Sequence, residues 1–226
     1  MFRVRSLLLV WLPVASAIFF LAGLAFDHSR FVGLVQSETG PVELGTAALF
    51  VAAASFAVAI AWRVPLPRPC RIYYVLFASA ALFVACEEVS WGQHLVGWRS
   101  PQWFAVHNKQ DETNLHNLLG SKPSSWLRES AYVVFTGAFL VLPLVARKVP
   151  GSYAPGGWAY YLLPKLELAA LIVLSLVITA PNKLHGIHRM GGALRELTEL
   201  YQGWAAAGYG GLLWRRLARG VAPRAT

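Results

Sequence analysis

One stretch of the sequence contains most of the side chains that could carry chemistry. Between residues 86 and 117 the chain reads CEEVSWGQHLVGWRSPQWFAVHNKQDETNLHN, directly after a long apolar run. Adjacent glutamates, three histidines and an Asp-Glu pair therefore stand at the end of a predicted membrane helix. An ionisable group inside such a helix costs a few kcal/mol unless it is paired, neutralised or hydrated, so these residues are the first candidates for a functional site.

Glu87 and Glu88 are the central candidates in this stretch. If the helix continues to His94, helical spacing places Glu87, Trp91 and His94 on one face, with Glu88 beside that face. Carboxylates and imidazoles are the oxygen and nitrogen ligands that zinc accepts. We predict that both glutamates are catalytic and that His94 is a metal ligand.

The connection that follows contains two signals for the start of a helix. Ser100 and Pro101 have the order of an N-cap and a first helical residue, which predicts a short amphipathic helix over PQWFAVH. Further on, DETNLHN places Glu112 and His116 four residues apart, on one face if the segment is helical. A carboxylate and an imidazole at that spacing can hold a metal ion or form an acid–base pair. We predict Glu112 to be the general base and His116 a metal ligand.

A second polar segment, NKLHGIHRMGGALRELTEL, lies later in the chain. His185 and His188 are three residues apart in it, and either could complete the metal site. Glu196 and Glu199 have the same spacing and are predicted to contact substrate. The other predicted substrate contacts are Gln93, His107, Asn108, Gln110, Asn114, Asn117 and Arg128.

Each of these assignments has a structural alternative. Glu87 or Glu88 could form a packing ion pair with Arg128 or Arg195. DETNLHN could be an exposed polar loop, and the two histidines of the second segment could simply be exposed at the membrane interface. RELTEL could be an ordinary charged first turn, because acidic side chains are favourable at helix N-termini.

The composition places the protein in a membrane. The chain has 226 residues, of which 56% are hydrophobic and 14% are charged, and its mean hydropathy is +0.48. A soluble domain of this size carries about 25% charged residues. The net charge of +9 comes from basic residues scattered between apolar runs, so nucleic acid is not an expected partner. The two cysteines are too few for a disulfide framework.

The apolar runs predict a single all-α domain, 1–226, built as a polytopic transmembrane helix bundle of about six spans. The first run resembles a signal peptide but continues to a full bilayer span, so we expect the first helix to be retained. The sixth run opens with RELTEL, so five spans and an interfacial helix are the alternative. The predicted spans are approximately 7–26, 42–62, 72–94, 126–146, 158–180 and 194–214.

The basic residues predict how this bundle is oriented. Eleven arginines and lysines fall in the tails and connections of one side, and six fall in the connections of the other. The excess of positive charge on cytoplasmic loops then places both termini in the cytoplasm. The six histidines, the acidic residues discussed above and the short loop helix all fall on or near the outer side.

The segments EEVSWGQ and NKQDETNLHN resemble a motif pair, EExSWGQ followed by NxQxExNLHN, of a family of uncharacterised bacterial multi-pass membrane proteins. The resemblance covers about thirty residues. It implies a protein of the bacterial inner membrane and no activity; in such a membrane, the orientation predicted from the basic residues has the polar site facing the periplasm. The positions it emphasises are Glu87, Glu88, Gln93, Asn108, Gln110, Glu112, Asn114, His116 and Asn117.

Three functions fit these observations. The first is a membrane-embedded, metal-dependent hydrolase or transferase that acts on a lipid or lipid-linked substrate, with zinc as the expected metal and iron as the alternative. The second is a proton- or cation-coupled transporter that uses the buried acids. The third is a non-catalytic subunit that docks a membrane-protein partner or a second copy of itself. Membrane lipids are expected partners in all three.

Overall fold

The computed structural model defines the helices. It describes residues 7–37, 39–108, 111–115, 121–164, 166–184 and 191–219, without the side chains of 7–8, 121–128 and 180–184. Every regular element within these ranges is helical. The α-helices are α1 (Leu12–Phe26), α2 (His28–Val35), α3 (Pro41–Arg63), α4 (Arg68–Glu88), α5 (Gln93–Val96), α6 (Gln102–His107), α7 (Ser121–Thr136), α8 (Leu142–Lys148), α9 (Trp158–Leu162), α10 (Ala169–Leu184) and α11 (Gly191–Ala218).

Five helical segments are long and apolar enough to cross a membrane. Large apolar side chains on them face outward, and Phe19, Leu76 and Val133 are each more than half exposed. Apolar surface of this extent is unfavourable in water and favourable against lipid. The prediction of an all-helical protein with several possible membrane spans is confirmed to this extent. The segments are Leu9–Phe26, Pro41–Arg63, Arg68–Glu88, Glu129–Lys148 and Trp158–Thr179.

The helix α11 lies inside the bundle, although its hydropathy is too low to count among these five. It packs against α3 and α10. Its residues Tyr201, Ala205 and Tyr209 are almost completely buried. A helix enclosed by other helices needs no apolar face toward lipid, so hydropathy alone underestimates its role. Its 28 residues correspond to a length of about 42 Å, sufficient to cross a bilayer.

Alanine at Gly210 is expected to destabilise the protein by about 2 kcal/mol, because α3 leaves no room for a side chain there. A Cβ at Gly210 would lie 2.7 Å from Cβ of Phe56 and 3.4 Å from the carbonyl oxygen of Ala53. Gly211 is the matched control, since its Cβ would meet the Phe56 ring at 3.5 Å, an ordinary contact. Alanine at Gly211 should be neutral or stabilising by up to about 1 kcal/mol, through its higher helix propensity. Thermal unfolding in detergent measures both variants, and equal midpoints would contradict this packing.

The helix α4 ends at Glu88 and not at His94, so the predicted span 72–94 is too long. Ser90, Trp91 and Gly92 have φ values of 45°, 56° and 82°, in the left-handed region. Right-handed helix cannot continue through residues in that conformation. Glycine adopts it without penalty, whereas the serine and the tryptophan store backbone strain. Both adjacent glutamates therefore lie at the very end of the helix and not two turns inside it.

The predicted span 158–180 is interrupted in the structure. The helix α9 ends at Leu162 and α10 begins at Ala169. Pro164 lies between them, and a proline disfavours helical conformation at the preceding residue and offers no N–H for a helical hydrogen bond. Non-helical backbone at membrane depth is tolerated only where the protein or a water-filled cavity satisfies its polar groups.

Side chains from three other parts of the chain satisfy the carbonyl groups at this interruption. They are Tyr74 on α4, Tyr209 and Arg216 on α11, and Tyr153 in the connection before α9. Because a helix end leaves its last carbonyl groups without intrahelical partners, these donors stabilise the interrupted backbone. The donor–acceptor pairs are Tyr74 Oη with Tyr161 O (2.5 Å), Tyr209 Oη with Leu162 O (2.9 Å), Arg216 Nη1 with Leu163 O (2.7 Å) and Tyr153 Oη with Pro164 O (2.8 Å).

Charged side chains are segregated to the two ends of the bundle. We call the end that contains the C-termini of α3, α8 and α11 the basic end, and the opposite end the acidic end. Among the described side chains, the basic end carries Arg63, Arg68, Arg71, Arg147, Lys148, Arg215, Arg216 and Arg219, with the acid Glu167. The acidic end carries Asp27, Glu43, Glu87, Glu88, Asp111, Glu112, Glu129, Glu196 and Glu199, with Arg30, Arg99 and Arg195. Which end faces the cytoplasm stays a prediction.

Candidate functional site

The end of α4 is tied to the connection 111–115 by the buried carboxylate of Glu87. The indole Nε1 of Trp91 donates to Glu87 Oε1 at 2.7 Å, and the backbone N–H of Leu115 donates to Oε2 at 2.6 Å. A carboxylate at a helix C-terminus lies at the negative end of the helix dipole, so it needs such donors. One oxygen of Glu87 thus binds the turn after α4 and the other binds the connection 111–115. Glu87 therefore positions the connection relative to the end of α4.

His94 and Glu112 form a contact that joins the turn after α4 to the same connection. His94 Nε2 lies 3.2 Å from Glu112 Oε1. The Glu112 side chain is 3% exposed and the His94 side chain 26%. An ionised carboxylate only accepts hydrogen bonds, so Nε2 is the donor of this contact. The imidazole is thus accessible from outside, while the carboxylate behind it is buried.

Two buried asparagines hold Glu112 in this position. Asn114 Nδ2 donates to Glu112 Oε2 and lies 3.0 Å from Ser90 Oγ. Asn108 Nδ2 in turn lies 3.0 Å from both the backbone oxygen and the side-chain oxygen of Asn114. Because all four side chains are buried, these hydrogen bonds hold the carboxylate in a single orientation. We call Glu87, Ser90, His94, Asn108, Glu112 and Asn114 the loop cluster.

Gln93 binds the backbone of the connection in the structure, although the sequence predicted a substrate contact. Its Oε1 accepts from the Thr113 N–H at 2.9 Å, and its Nε2 donates to Asp111 O at 3.0 Å. Ser100 was predicted to be an N-cap, but Pro101 occupies that position of α6 and makes no side-chain cap. The Ser100 hydroxyl instead lies 2.7 Å from Asp111 O. These residues therefore stabilise the fold of the loop.

Glu88 belongs to a second group of acids, contributed by three helices. It interacts electrostatically with Glu196 on α11 and Glu43 on α3, and also with Glu87. We call Glu43, Glu88 and Glu196 the acid group. The sequence predicted roles for Glu88 and Glu196 but missed Glu43, which looks like an ordinary acid in the first turn of a helix. Its position on the predicted outer side of the second span was the available signal.

The connection 111–115 is not helical, so the condition for placing Glu112 and His116 on one helical face is not met, and His116 itself lies outside the described residues. Asp111 has a φ of 58°, which turns the chain and directs Glu112 toward His94 instead. His107 is engaged within α6, where its Nδ1 lies 2.7 Å from Trp103 O and its ring stacks on the Trp103 indole. Several predicted site residues lie outside the described side chains, namely Gln110, His116, Asn117, Arg128, His185 and His188.

The predicted metal site is not assembled from the described residues alone. No three histidine, cysteine, aspartate or glutamate side chains among them are arranged to hold a metal ion. Three of the four predicted histidine ligands, His116, His185 and His188, lie outside the described residues. Zinc or iron binding therefore stays a prediction.

In the part of the chain that the structure describes, the fold is helical with five possible membrane spans, and a partly exposed histidine contacts a buried carboxylate–amide network at one end. No protein-family model matches the chain, and neither a curated protein nor a solved structure matches it. The resemblance carried by EEVSWGQ and NKQDETNLHN stays an expectation. The function is therefore argued from the geometry of the site.

Proposed function

We propose that the protein is a membrane-embedded, metal-dependent hydrolase or transferase that acts on a lipid or lipid-linked substrate at the acidic end of the bundle. The observation that carries this proposal is the contact between His94 and Glu112. A buried carboxylate that holds one ring nitrogen of a histidine fixes the orientation of the imidazole. This arrangement is common to metal-bound histidines and to histidines that act as general bases.

The surroundings of this pair support a catalytic role. The reactive nitrogen of such a site must be held in a fixed orientation, and the asparagines of the loop cluster restrain the carboxylate that orients His94. Ser90 and Trp91 have the strained backbone that often accompanies functional sites. Glu112 then positions His94, and the role of general base passes to a carboxylate of the acid group.

Zinc is the metal that this donor set favours. His94 Nδ1 would be one ligand, and His116, His185 and His188 are the candidates for the others. Leu115 and Gly191, which flank those segments, lie at the acidic end with the loop cluster. Bound zinc would lower the pKa of a water molecule to about 7 and so supply a nucleophile near neutral pH.

The proposed membrane arrangement has six spans, with α11 as the sixth, both termini in the cytoplasm and the acidic end in the periplasm of a bacterial inner membrane. The segregation of basic side chains to one end supports this orientation, since positive charge is retained on the cytoplasmic side. A lipid substrate would then reach the site laterally at head-group depth.

The metal content of the purified, detergent-solubilised protein tests this proposal. We expect about one equivalent of zinc in the wild type, about the same in His107→Ala, and less than a tenth of it in His94→Ala. His107 is the matched control because its ring nitrogen is engaged within α6. About two equivalents of iron would redirect the search to oxidation chemistry. No metal after a chelator-free preparation would contradict the metal-dependent mechanism.

The acid group favours a second candidate, a proton- or cation-coupled transporter. Ionised carboxylates contributed by α3, α4 and α11 repel one another, and a shared proton or a bound cation relieves that repulsion. Buried polar residues, among them Thr46, Thr198 and Gln202, continue inward from this group. Transport by proteoliposomes that stops in Glu88→Gln, from a protein that contains no metal, would favour this candidate over the enzyme.

A further inference from the structure

A cavity of about 780 Å³ opens at the basic end, far from the loop cluster and the acid group. It lies between the end of α8, the connection 149–157 and the interruption before α10. Arg147, Ser152, Tyr153, Leu166 and Glu167 contribute to its wall. Its volume is within the range of cavities that bind small molecules.

Among the described residues, the wall of this cavity contains the cationic side chain of Arg147 and the anionic side chain of Glu167. Arg147 is exposed and Glu167 is half-buried. Tyr153 lies within electrostatic range of both, since burial raises the pKa of Tyr153, Arg216 and Arg147 lower it, and Glu167 raises it. The Tyr153 hydroxyl keeps its proton at neutral pH and donates it to Pro164 O. The wall therefore includes a guanidinium and a carboxylate that both lie within electrostatic range of the Tyr153 ring.

The cavity lies at the ends of two possible membrane spans, which is the depth that phospholipid head groups occupy. Arg147 is the next-to-last residue of the possible span Glu129–Lys148, and Trp158 begins the next one. Tyrosine and tryptophan side chains such as Tyr153 and Trp158 collect at the level of the head groups. A ligand held here has its charged part against the protein and its acyl chains in the adjacent lipid.

We propose that this cavity binds the head group of a zwitterionic, amine-bearing phospholipid, with its phosphate against Arg147 and its ammonium against Glu167. Arginine binds phosphate through two parallel hydrogen bonds, and an ammonium group donates to a carboxylate. An anionic head group would bring negative charge to Glu167. A choline head group has no N–H to donate. The cavity therefore selects an ammonium-bearing phosphate ester over both.

Native mass spectrometry of the delipidated full-length protein tests this site with synthetic phosphatidylethanolamine, phosphatidylglycerol and phosphatidylcholine. We expect the wild type to bind phosphatidylethanolamine about tenfold more tightly than either of the others. Arg147→Gln should weaken that binding about tenfold, and Arg147→Lys should restore part of it. Glu167→Gln should remove the preference over phosphatidylglycerol while leaving the affinity for phosphatidylglycerol unchanged or higher.

Arg215→Gln is the matched control, because Arg215 is exposed at the same end and does not line the cavity. An equal loss of binding in Arg215→Gln and Arg147→Gln would overturn the site in favour of diffuse surface attraction. Equal affinity for phosphatidylethanolamine and phosphatidylglycerol in the wild type would overturn its selectivity. Displacement of the lipid by an equal concentration of soluble phosphoethanolamine would show that the ligand is a soluble compound. Thermal unfolding of each variant separates a lost site from a lost fold.

Discussion

Replacing Glu112 with glutamine is expected to lower the proposed lipid-directed activity about 10³-fold and to destabilise the protein by about 1–2 kcal/mol. The amide has nearly the same shape, but it is a weaker acceptor than a carboxylate for the proton on His94 Nε2. Its N–H group also faces a present donor of Glu112, either His94 or Asn114. His94 then loses the restraint on its tautomer, so that Nδ1 carries a proton in part of the population. Turnover of the substrate identified in a lipid-hydrolase screen measures the loss.

The tautomer of His94 provides a readout that does not depend on the substrate. Nitrogen NMR of histidine-labelled protein should show Nε2 protonated in the wild type and a mixture of tautomers in Glu112→Gln. Asp111→Asn is the matched control, because only the backbone oxygen of Asp111 takes part in the loop contacts and asparagine tolerates its positive φ. Unchanged activity and tautomer in Glu112→Gln would remove the basis of the proposed mechanism.

Replacing Arg216 with methionine is expected to destabilise the protein by about 3 kcal/mol. Arg216 Nη1 lies 2.7 Å from Leu163 O and 3.2 Å from Tyr160 O, at the end of α9. Methionine retains most of the apolar stem and loses every donor, so the carbonyl groups at the interruption remain without these partners. We expect a lower unfolding midpoint in detergent, measured by circular dichroism.

The neighbouring residue isolates the effect of these hydrogen bonds. Arg215 lies beside Arg216 on α11, but it is exposed. Arg215→Met should therefore change stability by less than about 0.5 kcal/mol. A similar loss in both variants would attribute the effect to the charge of the basic end. In that case the arginine would not be a specific cap of the interrupted helix.

Hydropathy predicted the helices correctly where they contact lipid. The runs near 42–62 and 126–146 correspond to Pro41–Arg63 and Glu129–Lys148 within a few residues. A segment that spans a membrane must be apolar along its whole length, so its hydropathy can be recognised from that segment alone. Hydropathy is a poor predictor for α11, because this helix is surrounded by other helices of the protein. Its sequence does not indicate which helices enclose it.

The candidate site could be predicted as a set of residues but not as an arrangement. The ionisable residues at the end of the third apolar run identified Glu87, Glu88, His94 and Glu112. Helical spacing indicated that Trp91 lies near Glu87, but it did not indicate the contact between Glu112 and His94, because the turn at residues 90–92 and the positive φ of Asp111 redirect the chain. Glu43 was missed because nothing in its own segment distinguishes it from a helix-start acid.

The sequence by itself determined that the chain forms long apolar helices, the approximate positions of those helices and the end of the bundle where most of the described acids lie. These follow from composition and local hydrophobicity, which act on each segment independently. Only the tertiary structure decided that α4 stops at Glu88, that Glu112 contacts His94, and that tyrosines and an arginine cap an interrupted helix. Those features depend on hydrogen bonds between residues far apart in the chain, and such bonds form only after the helices have packed.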